Sequence, residues 1–445
     1  MSREGALLLY AAVAVAGLIV LVSKFRLHAF LALICASIFV GLCSGLELTE
    51  IARAFQQGVG NTLGFIAVVV GLGTMLGRML AESGGAEVVA RTFIRAFGSP
   101  RLPWAMLVVG FVVGMPVFFA VGLVLLVPIL FTLVRDTKAP LLTLGLPLVA
   151  GLSASHTLVP PHPGPMIAIQ QLNADVGKTI FYSLLVAFPA AIVGGPLFAR
   201  YICSKLQASP GSAGECVTAP QRQNLPGFGV TLVTILLPVA LMLLASVADL
   251  ALPPKSSVRA WADFIGNSLV SLFLAVLLSI YTFGVARGFG MADIGKSMEA
   301  CLGPVASILL VVGAGGGFSK VLDASGTGQA IAGFARNLNL SPLVLAFVIA
   351  AFIRIAVGSA TVAITMTAGL VAPMLTSFHN VNRELLVLAM AAGSLILSHL
   401  NDGGFWFVKE YLNLTVQQTL KTWTVMITIM SLVSFGLVLL LDVVL

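Results

Sequence analysis

Charge is what this sequence has least of. Asp, Glu, Lys and Arg make up 9% of its 445 residues, hydrophobic residues make up 59%, and mean hydropathy is +1.07. A soluble core cannot absorb that much apolar surface, so lipid must solvate most of the chain. The formal net charge of +7 is then a topology signal rather than a nucleic-acid footprint. Cysteine is scarce as well. Cys35, Cys43, Cys203, Cys216 and Cys301 form no CxxC pair and fall mostly in apolar runs, which predicts small buried hydrophobes. There is no HExxH pair and no GxSxG elbow, which argues against an enzyme, and no metal or cofactor is expected. The glycine run "GAGGGF" at 313–318 lacks the lysine and Ser/Thr of a phosphate loop. A basic leader is missing too, because Arg3 is offset by Glu4. The run from Ala6 to Val22 therefore reads as a first span.

What the chain does have is apolar segments, separated by Gly, Pro or charge. Fourteen can be marked, at about 5–22, 27–46, 61–80, 103–115, 118–134, 141–158, 178–201, 228–248, 262–286, 303–320, 342–356, 359–375, 384–400 and 422–445. Several fall short of the roughly 20 residues that cross a hydrocarbon core. Those near 103–134 and 342–375 come as short pairs interrupted by small or turn residues.

The chain also repeats itself. "VGLGTMLGRMLAESGG" (70–85) aligns with "VGAGGGFSKVLDASGT" (312–327) at an offset of 242 residues, matching Gly71 with Gly313, Gly73 with Gly315, Arg78 with Lys320 and Gly84 with Gly326. The same offset brings Gly151 onto Gly393 and "SASHTLVPPHPGP" (153–165) onto "LILSHLNDGGFWF" (395–407). A first repeat over 1–226 is therefore expected, with a re-entrant hairpin near 103–134, a broken helix near 141–175 and a cytoplasmic linker near 202–226. A second over 227–445 is expected to hold its hairpin near 342–375 and its broken helix near 384–410. If each short pair enters and leaves on one side, each half has an odd number of true spans, and the second half is inverted. Arg78, Arg91, Arg95, Arg135, Arg200 and Arg287 then share the basic side, while Lys178, Lys255, Arg259 and Lys320 lie on the other. The positive-inside rule places both termini outside the cytoplasm. The predicted fold class is an all-α polytopic membrane protein. It has two inverted repeats, about 10–12 transmembrane helices, two re-entrant hairpins and helices broken at the midplane, an architecture of secondary transporters.

The candidate chemistry lies at the breaks. Pro160, Pro161 and Pro163 flank His162 and cannot continue a helix. The first broken helix is expected to stop near residue 158 and restart around Met166, leaving unwound backbone beside His156, Thr157, Pro161 and His162. Such backbone survives in a membrane only against protein or a water-filled cavity. The second break, "SHLNDGG" (398–404), brings His399, Asn401 and Asp402. Asp402 is the acidic residue placed at membrane depth, and with His162 and His399 it is a candidate proton carrier. In "RIAVGSATVA" (354–363), Gly358 and Ser359 interrupt an apolar pair one turn after Arg354, and Ala360 and Thr361 follow. An arginine within the membrane costs at least roughly 2.5–3.5 kcal/mol without a partner. It either pairs with Asp402 or carbonyls as a structural group or grips a carboxylate, and both can hold at different stages of a cycle. The tip of the first hairpin, "VGMPVFFAVG" (113–122), offers Gly114 and Pro116 as breakers and no charge.

At these residues the sequence resembles the gluconate permease (GntP) family of bacterial inner-membrane transporters. The resemblance rests on "LVPPHPGP" (158–165), "RIAVGSATVA" (354–363), "SHLNDGGFW" (398–406) and "TLKTWT" (419–424), with "KFRLHAFLAL" (24–33) and "GNTLGFIAVVVGLG" (60–73) as opening blocks. It covers nearly the whole chain. It implies proton-coupled uptake of gluconate or a related sugar acid, a bacterial inner-membrane location and a possible homodimer. Some relatives carry other small hydroxy or amino acids such as D-serine. One departure matters: familiar members read "FFEVG" in the first hairpin, whereas this chain reads "FFAVG", with Ala120 in place of the glutamate. The expected function is import of a small hydroxylated monocarboxylate, gluconate first. Arg354 and the amides around Ser359 to Thr361 would hold the carboxylate, with His162, Asn401 and Asp402 at the hydroxyls or the proton. Glycerate or D-serine is the alternative cargo; a channel, sensor or intramembrane enzyme is the alternative class.

Overall fold

The computed structural model describes residues 3–206, 224–253, 255–330, 341–377 and 381–445. Cys216, Arg222, Arg336 and most of the expected linker lie outside them. Every regular element among the described residues is helical. Among the described residues, nine helices are long and apolar enough to cross a membrane. The number is ten if Gly85–Phe97 and Ser99–Gly114, bent by 112° at Gly98, count as one span.

The helices differ from the apolar segments in instructive places. The third segment belongs to a much longer helix, Leu48–Ser83. Its first turns carry Glu50, Arg53, Gln56 and Gln57 on one side, while Ile51, Ala54 and Gly58 are buried on the other. Apolar runs alone therefore miss this amphipathic stretch. The segment at 262–286 breaks at Asn267, whose side chain caps Ser268–Ser279 by accepting from the Leu269 amide at 3.0 Å. The one at 384–400 stops at Leu395. The helix after the prolines starts at Pro163 rather than near Met166, since proline fits a first helical position, where no amide hydrogen is needed. The cysteines also depart from expectation: Cys35 and Cys43 are exposed, and Cys203 and Cys301 are half-buried. Cys35 and Cys43 sit on the outer face of Ala29–Ser44, where lipid serves as well as a protein interior for a small apolar side chain.

The most enclosed span is Leu141–Leu172, with 89% of its apolar stretch buried in protein. It comprises two helices, Leu141–Leu158 and Pro163–Leu172, separated by the prolines. Gly151 faces the Leu107 carbonyl so closely that a Cβ would collide with it, and Gly110 stands likewise against the Leu148 carbonyl. At the 242-residue offset, Gly393 on Arg383–Leu395 presses on the Phe347 carbonyl in the same way. Gly84 and Gly326, another matched pair, both adopt left-handed backbone, at φ +76° and +75°.

A second close crossing joins Leu48–Ser83 to Gly303–Ala324. Gly58 abuts the carbonyl of Gly316, and Gly316 in turn abuts the Thr62 hydroxyl. Helices in lipid gain little from burying apolar surface, so their association relies on close van der Waals packing at small residues. The glycine run at 313–318 is this packing surface. Because the obstacle is backbone, Gly58→Val is expected to destabilise the protein by about 1–3 kcal/mol. Thermal unfolding in detergent, with Gly60→Val as control because Gly60 has open space, measures it.

Candidate functional site

Two interhelical turns and two helix breaks meet in one place. The first turn, Met115–Phe118, joins Leu102–Gly114 to Phe119–Thr137. The second, Gly358–Ser359, joins Pro342–Val357 to Ala360–Val371. Each leaves helix-end carbonyls that the nearby break must satisfy. In the first half the Nε2 of His162 bonds the Gly114 carbonyl at 2.7 Å. In the second, Asn401 Nδ2 donates to the carbonyls of Ile355 (2.8 Å) and Ala356 (3.1 Å), and His399 Nε2 reaches Ile355 at 3.1 Å. These polar side chains clamp turn to break.

Between the clamps lies a cavity of about 350 Å³, within the usual range for small-molecule sites, roughly 300–1,000 Å³. Phe118 of the first turn and Phe119, Ala120 and Val121 of the helix after it line the cavity, as do Ser359 of the second turn and Ala360 and Thr361 of the helix after that. Ser153, His156 and Thr157 line it from the helix before the first break, and Asp402 from the second break, followed by Gly403 and Gly404 at the next helix start. Arg354 and Trp423 complete its polar wall. Three helices, Phe119–Thr137, Ala360–Val371 and Gly403–Tyr411, thus begin at this cavity. Their first-turn amides carry partial positive charge, which favours an anion there.

Arg354 and Asp402 are the two formally charged residues among those lining it. The guanidinium is 4% exposed and the carboxylate 13%, and Arg354 Nη2 lies 2.5 Å from Asp402 Oδ2. Arg354 Nη1 also donates to the Gly358 carbonyl, while its Nε is buried without a partner among the described residues. Asp402 caps Gly403–Tyr411 by accepting from the Gly404 amide at 2.9 Å, and it accepts from the Ser398 hydroxyl. Trp423 Nε1 donates to that same Ser398 oxygen at 2.7 Å. Arg354, Asp402, Ser398 and Trp423 therefore form one chain of contacts.

Of the residues singled out from sequence, Arg354, Ser359, Ala360, Thr361, His156, Thr157, Ala120 and Asp402 reach the cavity wall. Gly358, Asn401, His399 and Gly114 do not; they form the clamps around it. Pro116, Pro161 and His162 instead line a separate, water-sized space of about 20 Å³. His156 and His162 bridge the two, their Nδ1 atoms 3.2 Å apart. Ser153, Ser398 and Trp423 join the site in addition to these residues. Ser153 lies one turn before His156 and Thr157 in the same stretch, and Trp423 lies within "TLKTWT", so position and motif both held a signal.

A many-helix membrane fold around a largely apolar cavity that holds one charge pair, with helix starts aimed into it, is an arrangement of solute transporters. This chain belongs to the GntP family of permeases: the family model described as GntP family permease matches residues 6–444. It is 50% identical over 447 residues to a gluconate permease of Pseudomonas aeruginosa, covering 100% of this chain and 99% of that protein. It is 36% identical over 425 residues to the D-serine transporter DsdX of Escherichia coli, covering 94% of each. Its fold resembles the crystal structure of the Alcanivorax borkumensis YdaH transporter, with a TM-score of 0.65, 20% identity and 89% of each chain covered.

Gly358 is the position on which the second turn depends. Its φ of +81° is left-handed, and a Cβ would collide with the Asn401 carbonyl. Gly358→Ala is expected to cut uptake at least tenfold while the protein remains membrane-inserted. Uptake normalised to folded protein from fluorescence size-exclusion measures this.

Proposed function

We propose that this protein imports gluconate or a closely related sugar acid across a bacterial inner membrane by proton symport. The observation that carries the reading is the buried Arg354–Asp402 pair at a cavity where three helices begin. The 50% identical gluconate permease supports gluconate as the first cargo; DsdX keeps a small amino acid as the alternative.

The chemistry follows from charge. With Asp402 ionised, Arg354 is neutralised within the protein and has no charge to offer a second anion. A substrate carboxylate must compete with Asp402 for the planar, bidentate guanidinium. Adding that anion to a low-dielectric cavity is costly unless a cation accompanies it. A proton on Asp402 supplies the cation: it removes the competing charge and frees Arg354 for the incoming carboxylate. The amides of Ala360 and Thr361 then assist, as helix N-termini do for anions. Ion and substrate enter together and leave together, and rocking of one part of the fold against the other exposes the cavity to each side in turn.

Two variants test this. Arg354→Ala is expected to abolish uptake with folded protein retained; uptake at wild-type affinity would remove the carboxylate role. Asp402→Asn mimics the protonated acid, so proteoliposomes are expected to keep substrate counterflow yet lose accumulation driven by an inward proton gradient. If gradient-driven accumulation persists in Asp402→Asn, the proton is carried elsewhere.

A further inference from the structure

The carboxylate end of the proposed site comes from the second half of the chain. The polar groups contributed by the first half have no role in that reading, and none of those lining the cavity carries a formal charge. Ser153 is 4% exposed, lines the cavity and has a buried Oγ without a hydrogen-bond partner among the described residues. Buried hydroxyls are seldom left unpaired, so this one points to a ligand. Ser153, His156 and Thr157 stand at i, i+3 and i+4 on Leu141–Leu158, which places them on one helical face.

The histidine pair fixes what that face offers. The Gly114 carbonyl can only accept, so the His162 Nε2 that contacts it at 2.7 Å carries the hydrogen. In a neutral imidazole, His162 Nδ1 is then an acceptor. The facing His156 Nδ1, 3.2 Å away, must be the donor. His156 is left with Nε2 as an acceptor, and that atom makes no hydrogen bond to the described protein. Beside it, Phe119–Thr137 begins without a side-chain cap, so its first-turn amides around Ala120 are donors.

Amide donors, an imidazole acceptor and a serine that can do either are the complement of alcohol groups, each of which both donates and accepts. None is charged, so an ammonium group would find no counter-ion on this wall. We propose that Ser153 and His156 read the hydroxyls of the substrate remote from its carboxylate, and that His162 is a positioning residue that fixes the His156 tautomer. The cavity then selects polyhydroxy monocarboxylates over amino acids and over short acids. This rests on the carboxylate being held at Arg354.

The test measures inhibition of gluconate counterflow by unlabelled gluconate, glycerate and D-serine in proteoliposomes. Ser153→Ala is expected to weaken gluconate by about three- to tenfold, the size of one lost neutral hydrogen bond, and to move glycerate less than twofold. The gluconate-to-glycerate selectivity should fall by the same factor. His162→Phe should lower that selectivity similarly, and His162→Asn, which keeps one donor and one acceptor, should restore part of it. Equal weakening of both acids in Ser153→Ala, or His162→Asn no better than His162→Phe, would overturn the proposal. Arg354→Ala reads the carboxylate site separately: its expected loss of gluconate counterflow removes transport altogether, whereas the Ser153 and His162 variants change the selectivity between acids.

Discussion

The ion pair between Arg354 and Asp402 is the constraint around which the second half of this structure is organised. Neither charge is tolerable alone at that depth, and removing one partner of a buried pair typically costs about 3–5 kcal/mol. Each is therefore held by backbone as well as by the other. Arg354 reaches back to the Gly358 carbonyl across the turn, and Asp402 caps the helix that starts at Gly403. The turn can approach the break only because Gly358 lacks a side chain and accepts left-handed backbone. Asn401 and His399 then close the remaining carbonyls of the same helix end. The pair, the turn and the break thus share the same few residues.

The first half performs the same structural task without charge. At the 242-residue offset Arg354 corresponds to Val112, and Asp402 to Pro160. What remains is a proline-made break whose histidine satisfies the Gly114 carbonyl, and an opposed histidine that opens on the cavity. The two halves are thus alike in how a turn is clamped to a break and unlike in what the clamp presents. One presents a charge pair, the other neutral hydrogen-bonding groups. Sugar acids are built with the same division between an anionic end and a hydroxylated chain.

Much of this was legible in the sequence, for reasons tied to particular residues. The prolines at 160 and 161 and the Asn-Asp pair at 401–402 interrupt their helices, and the breaks, at 159–162 and 396–402, contain them. An arginine in an apolar run must have a partner, and Asp402 was named as one. Direction was not legible. Nothing in the order of residues says that His162 turns towards Gly114 while His156 turns towards the cavity, or that Asn401 spends its amide on two carbonyls. The long helix from Leu48 was hidden for a different reason: its polar face interrupts the apolar run without interrupting the helix. The outward cysteines were misplaced because a membrane protein has two apolar environments, and hydrophobicity alone does not distinguish them.

Ala120 bears on how charge is balanced. It lines the cavity at the uncapped start of Phe119–Thr137, where the resemblance to familiar family members leads one to look for glutamate. A carboxylate there would give the cavity a second acid and a fixed negative charge at a helix N-terminus. With alanine, the charged residues lining the cavity cancel as one arginine and one aspartate. A single monocarboxylate then adds one negative charge, and a single proton restores neutrality. Under the proposed symport this assigns the proton to Asp402 and favours one proton per substrate. The same substitution leaves bare amides beside Ser153 and His156, so the loss of an acid is also the gain of a wall that can donate to hydroxyl oxygens. On the proposed reading, coupling belongs to the half that holds the ion pair, and selectivity to the other.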